Sequence, residues 1–350
     1  MNSALVKTSH TNSFDFINEK YGKSYESTVK SSELYKLIWE PIKPYLHDIK
    51  TVYISPAGLL HNISFAALSN NKNEFVIDNI NIAMVTSSSQ INNVSEKLVF
   101  RNANLFGGIN FDGPSSQNQV WKYLEGTSVE VDKIDKLLKK KKVKTKVFKN
   151  LFATEEQFKD NSNNTDILHI ATHGFFYPDP KKAKEIEQTT IKIGEVTFRG
   201  SESGLGMSSF VKNPNPLMRS GLVFAGANDV WNEIETDSSK QDGVLTAYEV
   251  ANINLQNTKL VVLSACETGL GDIRGSEGVY GLQRAFKMAG AKHLIMSLWQ
   301  VPDKETVEFM EIFYEKLLDY KDVRKAFNET QREMRQKYDP FFWAAFVLIE

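Results

Sequence analysis

A chain of 350 residues, 41% hydrophobic and 24% charged, can bury a substantial core and has the polarity of an ordinary globular protein. Its 42 basic against 43 acidic residues leave a net charge of -1, so no global field argues for nucleic acid or an acidic membrane as a partner. Apolar runs are strand-sized, well short of the roughly 20 residues that span a bilayer, and Met1 to Phe16 lacks the apolar core of a secretory signal, so a cytoplasmic protein is expected.

Residues 1–31 are polar, without sustained periodicity, and read as a tail or linker; the abrupt start suggests the end piece of a longer protein. Leu34, Leu37, Ile38 and Ile42 mark one face of a helix that Pro41 and Pro44 should kink or end. Thr51 to Ser55 is a short strand stopped by Pro56-Ala-Gly58, and His61 to Leu68 reads as a short buried segment. Ile77 to Val85 alternates, as a strand with one covered face does. Together these form a smaller N-terminal α/β portion, residues 32–100.

From Asn104 a strand–helix rhythm runs through a main domain, residues 101–350. Leu105 to Gly108 is a strand entering a glycine turn, and Thr127 and Glu130 have the spacing of a capping box, followed by the apolar face Val131, Ile134, Leu138. Lys139 to Lys142 reads as a solvated helix end whose charge complements the helix dipole, with a docking patch as the alternative. Val143 to Phe148 is the next strand, and Thr154 with Gln157 makes a second capping box. Asp166 to Thr172 is an apolar strand running into His173-Gly174. Pro178 to Pro216 then changes character, with a hairpin expected over Ile191 to Phe198. Long excursions at a strand's carboxyl end are often functional, and a substrate or regulatory loop (a mobile lid included) stands equal to an inert insertion. Gly221 to Ala225 is a strand, and Asp242 to Ala247 leads into a short helix. Asp303 caps a helix carrying Val307, Met310, Tyr314 and Leu317; another covers Val323 to Arg335 before Pro340, and Trp343 to Ile349 is the last strand.

The chain is organised around Lys259 to Trp299. An apolar run, Leu260 to Leu263, leads to the single cysteine, Cys266; Gly269, Gly271 and Gly275 follow, then an amphipathic segment from Gly278 to Ala289 and a second apolar run from His293. This is a βαβ unit with Cys266 at the carboxyl end of its first strand, the edge where open α/β sheets carry their chemistry. One cysteine excludes an intramolecular disulfide framework. Six histidines without paired Cys or His spacing give no zinc pattern, so neither metal nor cofactor is expected. His173 occupies the corresponding place on the upstream strand, where it can take a proton from the thiol or pair with the thiolate. Backbone N–H groups of the turn, with the positive end of a helix expected near Ser276, can hold an oxyanion. The glycines suggest a rival dinucleotide motif, but their spacing is GxGxxxG and begins several residues beyond the strand.

Leu260-Val-Val-Leu-Ser-Ala-Cys-Glu-Thr-Gly-Leu-Gly271 with Gly275-Ser-Glu-Gly278 resembles the signature of the CHAT domain family, as do His169 to Gly174, Ser220 to Asn228, Asp242 to Ala247 and Ser297 to Asp303. Weaker similarity reaches Ile54 to Gly58 and Phe65 to Leu68. CHAT domains are caspase-like cysteine peptidases related to separase and the clostripain–gingipain group. The resemblance implies a caspase-like three-layer α/β sandwich with a mostly parallel central sheet flanked by helices. It implies His173 as general base, Cys266 as nucleophile, and the N–H groups of Gly174 and Cys266 as oxyanion hole. It also implies limited proteolysis of a protein substrate, in a bacterial defence or cell-death pathway, and an activating partner protein or upstream repeat domain. Relatives choose substrates through a charged pocket beside the dyad. Acidic candidates here are Glu267, Asp272, Asp303 and Asp242, which would favour a basic residue before the cut. A catalytically silent scaffold is the alternative. Ser64 stands where the family has a proline, and the Pro178 to Pro216 excursion is longer than usual.

Overall fold

The computed structural model describes residues 32–70, 74–87, 97–114, 119–177, 210, 213–231, 242–265, 272–273 and 279–350. In chain order the elements begin with a π-helical turn, Tyr35–Trp39, then β1 (Thr51–Ile54), 3-10 turns at Gly58–Asn62 and Phe65–Ala67, α1 (Val76–Asn79) and β2 (Asn81–Met84). There follow β3 (Asn102–Ile109), α2 (Glu125–Lys140), β4 (Lys144–Asn150), α3 (Glu155–Ser162), β5 (Ile167–Ile170), β6 (Gly174–Phe176), β7 (Ser220–Val223), α4 (Ala227–Trp231), β8 (Val244–Thr246) and α5 (Ala247–Val250). The chain ends with β9 (Leu260–Leu263), β10 (Asp272–Ile273), β11 (Val279–Tyr280), α6 (Leu282–Met288), β12 (His293–Ser297), α7 (Asp303–Tyr320), α8 (Val323–Arg335), α9 (Pro340–Trp343) and β13 (Phe346–Ile349).

Strand side chains alternate between two faces, and both faces here are apolar. In β5, Leu168 and Ile170 join the core that holds Phe158 of α3 and Phe286 of α6. Ile167 joins the opposite core, with Val131, Ile134 and Leu138 of α2 and Phe309, Phe313 and Leu317 of α7. A sheet buried on both faces must sit between two helical layers. It has eight strands in the order β1-β2-β13-β12-β9-β5-β3-β4. Every neighbouring pair is parallel except β12 with β13. This mostly parallel, three-layer α/β architecture meets the expectation from the sequence. β2 joins β13 through Met84 and Ile349, so residues 32–100 and the main domain share one sheet. A second, three-stranded antiparallel sheet, β6-β7-β8, grows from the carboxyl end of β5. No helix among the described residues is long and apolar enough to cross a membrane.

Several local expectations are corrected. The segment around Leu34 buries Leu34, Tyr35 and Trp39 and leaves Leu37 outward, because a π-turn advances its side chains differently from an α-helix. Ile77 to Val85 is not one strand: Asp78 accepts the Phe75 N–H and starts a short helix before β2. Thr127 and Glu130 do not form a capping box, since α2 begins at Glu125. The Thr127 hydroxyl instead donates to Leu124 O (2.7 Å) and accepts the Gly108 N–H (2.9 Å), fixing the turn where Gly108 adopts φ +58°. Thr154 does cap α3, accepting the Gln157 N–H at 3.1 Å. Asp303 is the first residue of α7 rather than its cap; its carboxylate accepts the Gly126 N–H at 3.3 Å and ties the starts of α2 and α7 together. α6 begins at Leu282, not near Ser276. The hairpin expected over Ile191 to Phe198 lies outside the described residues.

Candidate active site

After β3 the chain crosses one face of the sheet through α2 to reach β4, and it returns over the other face through α3 to reach β5. β3 and β5 stay paired to the carboxyl end of β5, where the Ala171 N–H donates to Phe106 O at 2.8 Å, and that edge is where open α/β sheets take ligands. His173 lies there, just past β5 and only 8% exposed. Its imidazole packs against the rings of Phe111 (5.0 Å between centroids) and Trp121 (5.4 Å), both from the segment leaving β3. Its Nε2 stands 2.7 Å from the Lys122 carbonyl oxygen. A carbonyl can only accept, so Nε2 carries the proton, and in the neutral ring Nδ1 holds the basic lone pair. One backbone oxygen thus sets the tautomer.

β9 lies beside β5 in parallel register, Ile170 opposite Leu263, and the Ser264 N–H extends the ladder to Ile170 O at 2.9 Å. Cys266 is three positions past Leu263, as His173 is three past Ile170. Cys266, Glu267, Gly269, Gly271 and Gly275 lie outside the described residues. The described part of this strand end stops at Ala265, whose carbonyl accepts the Ser297 hydroxyl at 2.7 Å.

The orientation of the Gly174 N–H follows from the β6–β7 ladder. His173 O accepts from Val223 N (3.1 Å) and Tyr177 N donates to Arg219 O (2.9 Å), while Gly174 sits opposite Leu222 between them. Hydrogen-bonded and non-bonded pairs alternate in an antiparallel ladder. The Gly174 N–H therefore points away from β7, toward the outer side of this edge strand.

The acidic candidates separate. Asp303 is engaged at the start of α7, as above. Asp242 belongs to a half-buried cluster near the β7–β8 end, in which only Glu155 is fully buried; the Asp242 Oδ1 accepts the Val244 N–H (2.8 Å), beside Glu155, Lys159 and Glu249. Lys159 Nζ is 2.5 Å from Glu155 Oε1 and 2.9 Å from Glu249 Oε1, and Glu155 Oε2 accepts the Gly243 N–H at 3.1 Å. Burial pushes the Glu155 carboxyl up to about 7, and burial likewise raises that of Asp242. Burial also presses on Glu249, but the hydrogen bonds from Lys159 and Thr246 prevail and hold it below the usual carboxylate range. Asp272 is in β10 opposite Tyr280, its side chain outside the description.

Sequence reasoning missed the wall around His173: Phe111, Trp121 and the Lys122 carbonyl. Only Asn228, which binds that wall from α4, stood at the end of a recognised motif. It missed also the other face of β5, where fully buried His169 has Nε2 2.9 Å from Glu130 Oε1 and Nδ1 3.2 Å from the Tyr314 hydroxyl. The first is a close approach without the alignment of a hydrogen bond. Burial and the Glu130 carboxylate hold the Tyr314 phenol well above its ordinary range.

An α/β sheet with a tautomer-fixed histidine past the carboxyl end of one strand, and a neighbouring strand whose sequence continues to a cysteine, is the class of protein these observations define. A family model described as the CHAT domain matches residues 28–350, and the chain belongs to that family. Among curated proteins it is 28% identical over 200 residues to mouse tetratricopeptide repeat protein 28 and 28% identical over 202 residues to its human counterpart. Each match takes in 56% of this chain but only 8% and 7% of those proteins' length. Among solved structures it is similar to the Arg-specific cysteine proteinase gingipain R, at 12% identity and a TM-score of 0.49, over 93% of this chain and 68% of that one. It is also similar to separase in the Saccharomyces cerevisiae separase–securin complex, at 14% identity and a TM-score of 0.49, over 91% and 17%.

Proposed function

We propose that this chain is a cysteine endopeptidase that cuts a protein substrate by limited proteolysis through an acyl-enzyme on Cys266. The observation that carries the reading is the Nε2–Lys122 hydrogen bond, which supports His173 as the base by leaving Nδ1 as the ring's acceptor, just past the strand next to the one that leads to Cys266. In the reaction, Nδ1 of His173 takes the thiol proton. The thiolate attacks the scissile carbonyl carbon; a C–S bond forms, and the oxyanion is held by the N–H groups of Gly174 and Cys266. Collapse breaks the C–N bond as the imidazolium returns its proton to the leaving amine, and water then hydrolyses the thioester by the same base. Support for the oxyanion role comes from the ladder parity that turns the Gly174 N–H away from β7. The reading includes a basic residue before the cut, selected by an acidic side chain from among Glu267, Asp272, Asp303 and Asp242. It also includes activation in the cytoplasm by a partner or by a repeat domain upstream.

Because Cys266 is the only thiol, its alkylation rate against pH tests the pair directly. The expected midpoint lies well below the roughly 8.5 of an ordinary thiol and rises in His173→Ala. An ordinary midpoint, indifferent to that change, would sink the assignment of the base. Cleavage of a peptide library, lost in Cys266→Ala, tests the reaction itself.

A further inference from the structure

The motif from Ser220 to Asn228 ends in a residue that the reaction above does not use. Asn228 is fully buried at the start of α4, and all of its described polar contacts go to the segment that leaves β3. Its Oδ1 accepts the Trp121 N–H (2.8 Å) and its Nδ2 donates to Trp121 O (3.0 Å), so the amide mimics a strand partner for that one residue. The same Nδ2 donates to Asp112 Oδ1 (2.8 Å), and the backbone N–H of Asn228 donates to Phe111 O (3.0 Å). Asp112 in turn accepts from Gln119 Nε2 at 2.7 Å. One side chain therefore joins the two ends of an excursion, Phe111-Asp112 where it departs and Trp121 where it returns.

Those ends are the wall of the site. Phe111 and Trp121 supply the rings against the His173 imidazole, and Lys122, the next residue, supplies the carbonyl that fixes its proton. We propose that Asn228 is a positioning residue: it closes the excursion after β3 and thereby holds His173 in the tautomer and orientation the reaction needs. The proposal rests on the reading of His173 as general base. The physical case is that Lys122 sits on a stretch outside any strand or helix, where a backbone carbonyl has no ladder to hold it. A buried amide with both its donor and acceptor satisfied by one backbone residue supplies that restraint. Leucine at 228 would fill the space but would leave the Trp121 N–H and C=O without these partners in a dry site.

The test uses the full chain with 15N-labelled histidine. The His173 Nε2–H resonance, identified by its disappearance in His173→Gln, is expected to be hydrogen-bonded and slow to exchange in the parent protein and lost in Asn228→Ala. Alkylation of Cys266 at neutral pH is expected to fall in step, on the order of tenfold to a hundredfold, as small displacements of reacting groups do. Asn228→Asp, which keeps the shape but sets two carboxylates against each other, should also lose the resonance. Adding Asp112→Asn to it returns one donor–acceptor arm and should restore part of the rate. A folded Asn228→Ala with an unchanged Nε2–H resonance overturns the proposal. If Asn228→Ala fails to fold, the Asn228→Asp pair decides: no loss, or loss without recovery in the double variant, overturns it equally. A lost resonance with a Cys266 profile that ignores His173→Ala would mean that Asn228 holds the ring and that the base assignment is what fails.

Discussion

β5 and the turn after it carry two histidines four positions apart, and the two are used in opposite ways. His169 faces inward, under the α2–α7 layer, with one ring nitrogen against a carboxylate and the other against a phenol. His173 lies past the carboxyl end of β5, where one ring nitrogen is bonded to a backbone oxygen and two aromatic rings fix the plane. In the first case the partners are side chains from two helices, so the ring fastens those helices to the sheet. In the second the partner is a carbonyl from the neighbouring strand's exit, so the ring is aimed rather than used as a fastener. The same side chain becomes structure or chemistry according to what its nitrogens meet.

The strongest way to break this comparison is to remove each ring in turn. His173→Ala should lower Cys266-dependent peptide turnover by roughly a hundredfold to ten-thousandfold, the range of a lost general base, while its melting temperature falls less than that of His169→Ala. His169→Ala should do the reverse in stability, costing about 1–3 kcal/mol, because the buried Glu130 and Tyr314 polar groups lose the ring that faces them in a dry core. Chemical denaturation reads the second and steady-state kinetics the first. If His169→Ala melts like the parent protein, the fastening role is wrong.

Much of the layer pattern could be read in advance, because strands covered on both faces show as near-continuous apolar runs: Leu260 to Leu263, and Ile167 to Ile170 but for the polar His169, are such runs and are buried at every position. Local patterns failed where a distant partner won. Thr127 had the spacing of a cap but is claimed by Gly108, a residue nineteen positions away, and Glu130 is claimed by His169 across the core. At the site, the position of His173 was legible because residue type and strand end coincide in sequence. The wall was not, since Phe111 and Trp121 look like ordinary core aromatics and no side chain announces a functional carbonyl. The cluster at Asp242 was illegible for a related reason: its members come from α3, α5 and the approach to β8, which the sequence separates widely.

That cluster sharpens the contrast through its pH dependence. Glu155 titrates near 7 in the folded protein against 4.5 for the ordinary carboxyl. A carboxyl raised in this way favours the folded state while it is protonated. The contribution is complete below about pH 4.5 and is lost as pH rises through 7. Asp242 shifts in the same direction, Glu249 in the opposite one, and Lys159 is raised, so its own contribution fades only above pH 10.5. Stability should therefore decline between pH 4.5 and 7 by roughly 1–3 kcal/mol from Glu155, with Asp242 acting in the same direction, whereas the Glu249 contribution is already complete above pH 4.5 and is lost only below it. Glu155→Gln, which keeps an acceptor for the Gly243 N–H, should flatten that decline in a series of denaturant melts. An unchanged slope would show that Glu155 is not the group being titrated.

The smallest expected effect bears most directly on how His173 is held. If the Lys122 carbonyl sets the tautomer, the lysine side chain is irrelevant to it, and Lys122→Ala should change stability by no more than about 0.5 kcal/mol, as exposed substitutions do. The alanine has the same carbonyl, and the Asn228 contacts reach Trp121, not Lys122. The Cys266 alkylation profile of Lys122→Ala should then superimpose on that of the parent chain from pH 5 to pH 9. A displaced midpoint would mean that the lysine charge itself tunes the imidazole, and the wall would have to be understood as an electrostatic device instead of a geometric one. Superposition, set beside the loss expected from His173→Ala, would locate the control of the base in the backbone, where substitution of side chains cannot reach it except through the residues that hold the loop.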